Sequence, residues 1–456
     1  MRRLYDKTFI PYCSNAFKEF LLMLLLFFLN PVQAYGGAVE NRGIGARAIG
    51  MGGAFTGVAE NVYAAYYNPA GLGQLDNHQI CFDLLYVTPQ VSLQRGSGAK
   101  EDAFNKSVKA LVVGMATKFS SVLKIPSNLV FAYSFYLPDF SKSAWKARYG
   151  PPRFDPYYPM YGADMHEEEN LKLMVGAGAE IFPWLFLGGG LEVKLHAPGA
   201  CLVLSADIMA LKTVPEQSKV DPLVVTSEIY PLAGILLKPL PSLRVGFAYR
   251  QGGYIVFNGG LRAKLRISYG DNPGDTFPLP EEIRDLVCIN LPIFIAYYPS
   301  QYAFGISYKI QDRLLLAFDM TYYEWRTYKD NSGMQLSPKL DSIFIPRFGM
   351  EYSLMKKLAV RTGYSFQASP LKQQDQGNAD WLYLTNLIDN DVHTITCGLG
   401  YTWQIFGFPR KPAELSAFYE LHILPERTFQ NVNPGAPEIT SSGMFHTYGF
   451  GFQFNY

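Results

Sequence analysis

"YGFGFQFNY", residues 448–456, sets an aromatic at every second position with small or polar residues between. Period-two alternation is the signature of a strand with two unlike faces, one greasy and one small and polar. Such a strand fits a soluble sheet resting on a core, and equally a sheet with one face in lipid. Other stretches have to decide between them.

The same parity recurs along the chain. In "LRVGFAYRQ" (243–251) the residues Leu243, Val245, Phe247 and Tyr249 share one face, with Arg244, Gly246, Ala248 and Arg250 on the other. "PRFGMEYSL" sets Phe348, Met350, Tyr352 and Leu354 against Arg347, Gly349, Glu351 and Ser353. "AVRTGYSF" sets Val360, Thr362, Tyr364 and Phe366 against Arg361, Gly363 and Ser365, and "GLEVKLH" sets Leu191, Val193 and Leu195 against Glu192, Lys194 and His196. Charges keep the company of glycine and serine, never of the aromatics. Many of these stretches exceed the five or six residues of an ordinary soluble strand, which disfavours a sandwich.

The breaks between stretches alternate in length. Short ones fall at 182–184, 238–242, 310–312 and 354–357, and long polar ones at 138–168, about 198–222, 270–286, 329–340, 370–390 and 431–440. Tight turns on one rim and long loops on the other describe a transmembrane barrel with both termini on the tight-turn side. The expected fold is therefore all-β, a transmembrane antiparallel barrel of about 14 strands spanning residues 77–456. Residues 448–456 would be its closing strand, pairing with the first so that no edge stays open.

Composition agrees. Of 456 residues, 17% are charged, against roughly 25% in ordinary soluble proteins, while 15% are aromatic and 48% hydrophobic. Lys+Arg and Asp+Glu balance at 40 and 39, and no basic stripe argues for nucleic acid. Basic residues Arg2, Arg3, Lys7 and Lys18 precede the ten apolar residues Phe20 to Leu29, with small Val32 and Ala34 beyond. This run is too short to span a bilayer and is expected to be a signal peptide, residues 1–34, cleaved after Ala34. No later segment offers 18 uninterrupted apolar residues. Cys13 falls before the apolar run, and the other four cysteines, Cys81, Cys201, Cys288 and Cys397, form neither a CxxC pair nor a metal-ligand spacing and are expected to be packing residues.

Residues 35–76, "GGAVENRGIGARAIGMGGAFTGVAENVYAAYYNPAGLGQL" at their heart, are too rich in small residues for a lipid-facing strand. Small side chains permit close backbone approach, so this segment is expected to be a plug inside the lumen. "GIGARA" (43–48) formally matches a dinucleotide fingerprint, but no strand precedes it and no βαβ unit follows.

"GARAIGMGGAFTGVAENVYAAYYNPAGL" resembles the N-terminal hatch of the FadL/TodX family of outer-membrane transporters for long-chain fatty acids and other hydrocarbons. "SLRVGFAYRQ", "LLLAFDMTYYEW", "LAVRTGYSFQASP" and "DNDVHTITCGLGYTW" resemble later strands of that family in the same order. The resemblance implies a bacterial outer-membrane location, assembly by the barrel machinery, and passive uptake of a hydrophobic small molecule with lateral release into outer-membrane lipid. Asn68, Pro69 and Ala70 would match the hatch tripeptide, with Asn68-Pro69 a rigid corner. Family members bend the third strand inward to open a side window; Pro138, which cannot donate to a ladder, lies in the third strand here.

Catalysis finds little support. The six histidines are scattered outside nucleophile-elbow or metal spacings. "HEEEN" (166–170) could hold a divalent ion but reads more simply as solvated charge. No enzyme activity, cofactor, metal or nucleic-acid partner is expected, and a monomer is. The lumen face carries both signs of charge, either as ion pairs that hold barrel and plug together or, for Arg250 and Arg361, as anchors for a substrate carboxylate. A rival function on the same fold is an accessory or structural role in protein secretion.

Overall fold

A computed structural model describes residues 43–104, 107–119, 128–138, 171–196, 204–207, 212–215, 226–266, 287–327, 341–370, 390–404, 412–429 and 438–455. The expected signal peptide, the start of the plug, Tyr456, Cys201 and the "HEEEN" run lie outside these residues.

Among the described residues nineteen strands follow one another: β1 Gln79–Arg95, β2 Lys100–Phe104, β3 Val108–Lys118, β4 Leu129–Pro138, β5 Leu171–Phe182, β6 Leu185–His196, β7 Leu204–Asp207, β8 Lys212–Pro215, β9 Thr226–Leu240, β10 Leu243–Arg250, β11 Gly253–Arg266, β12 Val287–Tyr298, β13 Gln301–Ile310, β14 Leu314–Tyr323, β15 Ile343–Met355, β16 Leu358–Gln367, β17 Val392–Gln404, β18 Pro412–Phe429 and β19 Ile439–Asn455. Fourteen of them close into an antiparallel barrel in the order β1-β3-β4-β5-β6-β9-β10-β13-β14-β15-β16-β17-β18-β19. β19 pairs back onto β1 from Gln79↔Asn455 to Arg95↔Ile439, which makes 448–455 part of the closing strand. β2 is a short flap that pairs with β1 alone.

Side-chain parity follows the sequence pattern. Outward residues such as Phe247, Phe304, Phe348, Tyr448 and Phe450 are exposed, and cross-strand partners meet as tilted rings: Phe247 with Phe304 at 5.2 Å, Phe318 with Phe348 at 4.9 Å. Toward the long-loop end, Tyr249, Tyr302, Tyr322 and Phe344 form a row of neighbouring rings, the aromatic girdle that a membrane interface favours. Inward residues Glu192, Lys194, Asp319, Arg361, Glu420 and His422 are buried. A closed sheet that is apolar outside and charged inside pairs its backbone groups from strand to strand within the wall, so it crosses a bilayer as an outer-membrane barrel.

Around the long break at 270–286, β10 pairs directly with β13. β11 and β12 continue the same hairpin beyond the wall, with Gly253↔Tyr298 following Arg250↔Gln301. The ladder breaks where Gly252 and Pro299 sit. A Cβ at Gly252 would overlap the Tyr298 carbonyl, and Pro299 has no N–H to give. β7 and β8 add to the edge of this hairpin, β7 parallel to β11. The apolar stretch 200–211 therefore contributes a strand of this second sheet.

Candidate functional site

Residues 43–76 fill the lumen as a chain of tight turns: a short helix Ala46–Gly50, another at Ala64–Tyr67, and a 3-10 turn Pro69–Gln74. None is long enough to be stable alone; the surrounding wall holds them. Met51, Ala54, Phe55, Val58, Val62 and Leu72 are fully buried. Burial of a side chain the size of Phe or Leu contributes about 1.5–3 kcal/mol, so these residues alone hold the plug firmly.

The wall makes room with glycine. On the lumen face, a Cβ at Gly188 would overlap the Pro69 carbonyl and Ala70 amide, one at Gly246 the Thr56 carbonyl, and one at Gly363 the Gly52 amide. Register sets several of these glycines side by side, as in Gly178↔Gly188, Gly188↔Gly234 and Gly349↔Gly363. Gly52 (φ 65°) and Gly53 (φ 73°) turn the plug chain back through left-handed backbone where it meets β15 and β16.

Asn68 is the pivot of the contact. It is fully buried and extended (φ −160°, ψ 100°). Its Nδ2 donates to the Thr56 carbonyl at 3.0 Å and to the Ile235 carbonyl of β9 at 3.1 Å, while its Oδ1 accepts from the Ala70 amide at 3.2 Å. One side chain thus ties two parts of the plug to each other and to the wall. Pro69 starts the 3-10 turn, where its missing N–H is not needed.

Carboxylates of the wall take further plug amides. Asp319 accepts from the Phe55 and Thr56 N–H groups at 2.9 and 2.7 Å, and Asp83 from the Ala46 N–H at 3.0 Å and the Tyr63 hydroxyl. Toward the tight-turn rim an ion-pair lattice joins plug and wall. Arg47 donates to Glu351 at 2.7 and 2.8 Å and to Glu60 at 2.7 Å, and Arg244 of β10 holds the other oxygen of Glu60. Burial alone would raise the Glu60 carboxyl; Arg47 and Arg244 together hold it below its ordinary range. Burial pushes the Tyr63 phenol up, reinforced by Asp83.

Arg361 is 2% exposed and belongs to this lattice, bonded to Glu351 at 2.6 Å, Glu414 at 2.5 Å and Ser416 at 2.7 Å. Its side chain crosses β17 over Gly400, where a Cβ would meet the guanidinium. Arg250 lies near the other rim. It pairs with Glu192 at 3.0 Å, stacks over the Tyr66 ring at 4.1 Å and donates to the Tyr66 carbonyl at 2.6 Å. Lys194 sits beside it over the rings of Tyr298 and Tyr230, at the base of the β11–β12 hairpin. Asn68, Pro69 and Ala70 are thus brought together against β6, β9 and β10, while Arg250 and Arg361 lie in separate charge clusters. Pro138 is the last residue of β4, paired with Ala110, and β4 is laddered to β3 and β5 without a bulge from Val130 to Tyr136.

A small cavity of about 20 Å³ lies between plug and wall, lined in part by Gly52, Gly53, Arg347, Thr394, Glu420 and His422. His422 shares a hydrogen bond with the Thr394 hydroxyl at 2.8 Å and approaches Glu420 at 3.2 Å. No cluster of three metal-ligating side chains occurs among the described residues. Sequence reading placed Asp319 and several of the glycines on the lumen face without their contacts to the plug, and it missed the Asp83 anchor. A signal was present, since the glycines share a face with charges in the alternating stretches.

A plugged, fourteen-stranded outer-membrane barrel with a small-residue hatch pinned by an Asn-Pro corner is the class of protein that these features define. The comparisons with known proteins meet the same class. No family model matches the chain. Alkane uptake protein A of Marinobacter nauticus is 21% identical over 406 residues, covering 85% of this chain and 84% of that one. Among solved structures, a Pseudomonas aeruginosa FadL homologue aligns at a TM-score of 0.61 and 14% identity, covering 92% of this chain and all of the other. The P. putida toluene transporter TodX aligns at 0.57 and 14%, covering 91% and 99%. The chain therefore shares the FadL/TodX fold, in keeping with the resemblance of its hatch and strands.

Proposed function

We propose that the protein is a passive uptake channel of the bacterial outer membrane for hydrophobic small molecules, long-chain hydrocarbons and fatty acids among them, with lateral release into the bilayer. The observation that carries this reading is the sealed lumen. A barrel plugged at its glycine-lined level by buried Phe55, Val58 and Val62 is built to admit cargo past a hatch, unlike a water-filled porin. Binding through apolar burial at about 0.8 kcal/mol per methylene suits such cargo. The name of the Marinobacter relative points the same way. The mature chain would begin near Tyr35, be inserted by the barrel assembly machinery, and work as a monomer whose whole outer face meets lipid. Asn68, Pro69 and Ala70 would form the gate.

Within that class we favour an uncharged alkane over a carboxylate. Arg250 and Arg361 both have carboxylate partners of their own, which leaves the ion-pair reading of these residues ahead of substrate anchoring. Uptake of labelled hexadecane and of labelled oleate, in cells lacking their own transporter, tests both levels. Faster uptake of hexadecane than in empty-vector cells is expected, with Arg361→Gln lowering barrel stability without singling out oleate. Selective loss of oleate uptake would restore Arg361 as a carboxylate anchor. Uptake of neither cargo above the empty-vector rate would put the accessory-protein reading ahead.

A further inference from the structure

The outer face of β13–β16 carries a feature that passage through the lumen does not use. An apolar groove of about 620 Å³ is lined by Ile306, Tyr308, Leu316, Phe348, Met350 and Tyr364, with Thr362 among them. Register places Tyr308, Leu316, Met350 and Thr362 in one row across four strands. Thr362 is the short member of that row, and its shortness helps to leave the hollow.

The strands below the groove end in two adjacent tight turns, β13–β14 and β15–β16. The Ser353 amide donates to the Arg313 carbonyl at 2.8 Å, fixing the first turn against β15. These turns carry Lys309, Arg313, Lys356 and Lys357, with Asp312 the only acid among residues 309–313 and 356–357. Asp312 is taken by Lys309 at 2.9 Å. Arg313, Lys356 and Lys357 are exposed, and among the described residues no acidic side chain pairs with them. Met350 and Lys356 lie six residues apart, roughly 20 Å at the rise of a strand. One leaflet is about 15 Å of hydrocarbon plus its headgroup layer. Between the two lie the exposed apolar side chains of Tyr352, Leu354 and Met355.

We infer that this face is a docking site for one anionic phospholipid of the inner leaflet, its phosphate on the Arg313, Lys356 and Lys357 turns and an acyl chain in the groove over Thr362. Three uncompensated cations at the depth of the headgroups give the charge complementarity, and the groove gives the chain a seat. The site faces lipid, away from the plug and the lumen charges.

Native mass spectrometry of the full-length barrel, released from nanodiscs of equal phosphatidylglycerol and phosphatidylethanolamine, tests this. The unaltered protein should retain phosphatidylglycerol in preference, and the preference should fall as salt rises. Arg313→Gln with Lys356→Gln and Lys357→Gln should lower phosphatidylglycerol retention at least about tenfold. Thr362→Phe should lower retention of both lipids and leave the headgroup preference in place. Equal retention of the two lipids by the unaltered protein, a salt-independent preference, or a triple variant that keeps the preference would each overturn the site. The first two readings need no variant to fold.

Discussion

Asn68 shows how much one side chain can hold. All three polar functions of its amide are used, two donors to carbonyls and one acceptor to an amide, in a place without solvent. Asn68→Leu, close in volume, would leave the Thr56 and Ile235 carbonyls and the Ala70 amide without this partner. Each buried unpaired group costs about 1–3 kcal/mol, so a loss of several kcal/mol of plug attachment is expected. Limited proteolysis of the barrel in detergent should then cut within 43–76 in the variant and spare the unaltered protein. An equally resistant plug would remove Asn68 from its pivotal place. Pro69 was legible as a corner from its type alone, because proline fixes φ; the partners of Asn68 were not, since Ile235 lies 167 residues away.

The plug as an element is held by charge on one side and by backbone contact on the other. Glu60 carries its own pH signature. Its folded carboxyl lies below its ordinary range, so the attachment is fully present above the ordinary carboxylate pKa of about 4.3 and is lost as pH falls through the depressed folded value. Conductance of single barrels in planar bilayers should stay low and unchanged between pH 7 and pH 5, then rise as the medium is taken below pH 4. Glu60→Gln should bring intermittent openings at neutral pH, by removing the charged link between Arg47 and Arg244. A pH-independent closed state in both proteins would show that the glycine-lined contacts suffice without the lattice. The acid and its two arginines are visible in the sequence, but their meeting is not. Arg244 sits on the fifteen-residue β9's neighbour β10, and only the closed wall turns it toward residue 60.

At the scale of the whole molecule, the inside-out distribution of side chains is what makes the barrel a membrane protein. Phe450 is 43% exposed on the outer face, opposite Leu84 and Ala417. Phe450→Arg should destabilise the folded barrel by about 2–4 kcal/mol if the residue lies near the bilayer midplane. Urea titration in phospholipid vesicles measures it. A cost near zero would place this row at an interface instead and shift the whole membrane belt along the barrel.

Sequence by itself determined the wall. Because side chains alternate strictly along a strand, parity sorted lipid-facing Phe247, Phe348 and Phe450 from lumen-facing Arg244, Arg361 and Glu192 without any knowledge of partners. Alternating break lengths sorted the two rims for the same local reason. Tertiary structure decided everything that depends on closure. Residues 253–266 and 287–298 read as continuous with the wall strands β10 and β13, and only the break at Gly252 and Pro299 sets the β11–β12 hairpin apart from the wall. Arg361 reads either as an ion-pair partner or as a carboxylate anchor until the closed barrel brings Glu414 to it across Gly400. The lumen glycines read like companions of charge until the plug passes over them. Strand periodicity is a property of neighbouring residues, whereas charge neutralisation and close backbone approach belong to residues tens to hundreds of positions apart that are brought together by strand pairing and closure of the sheet.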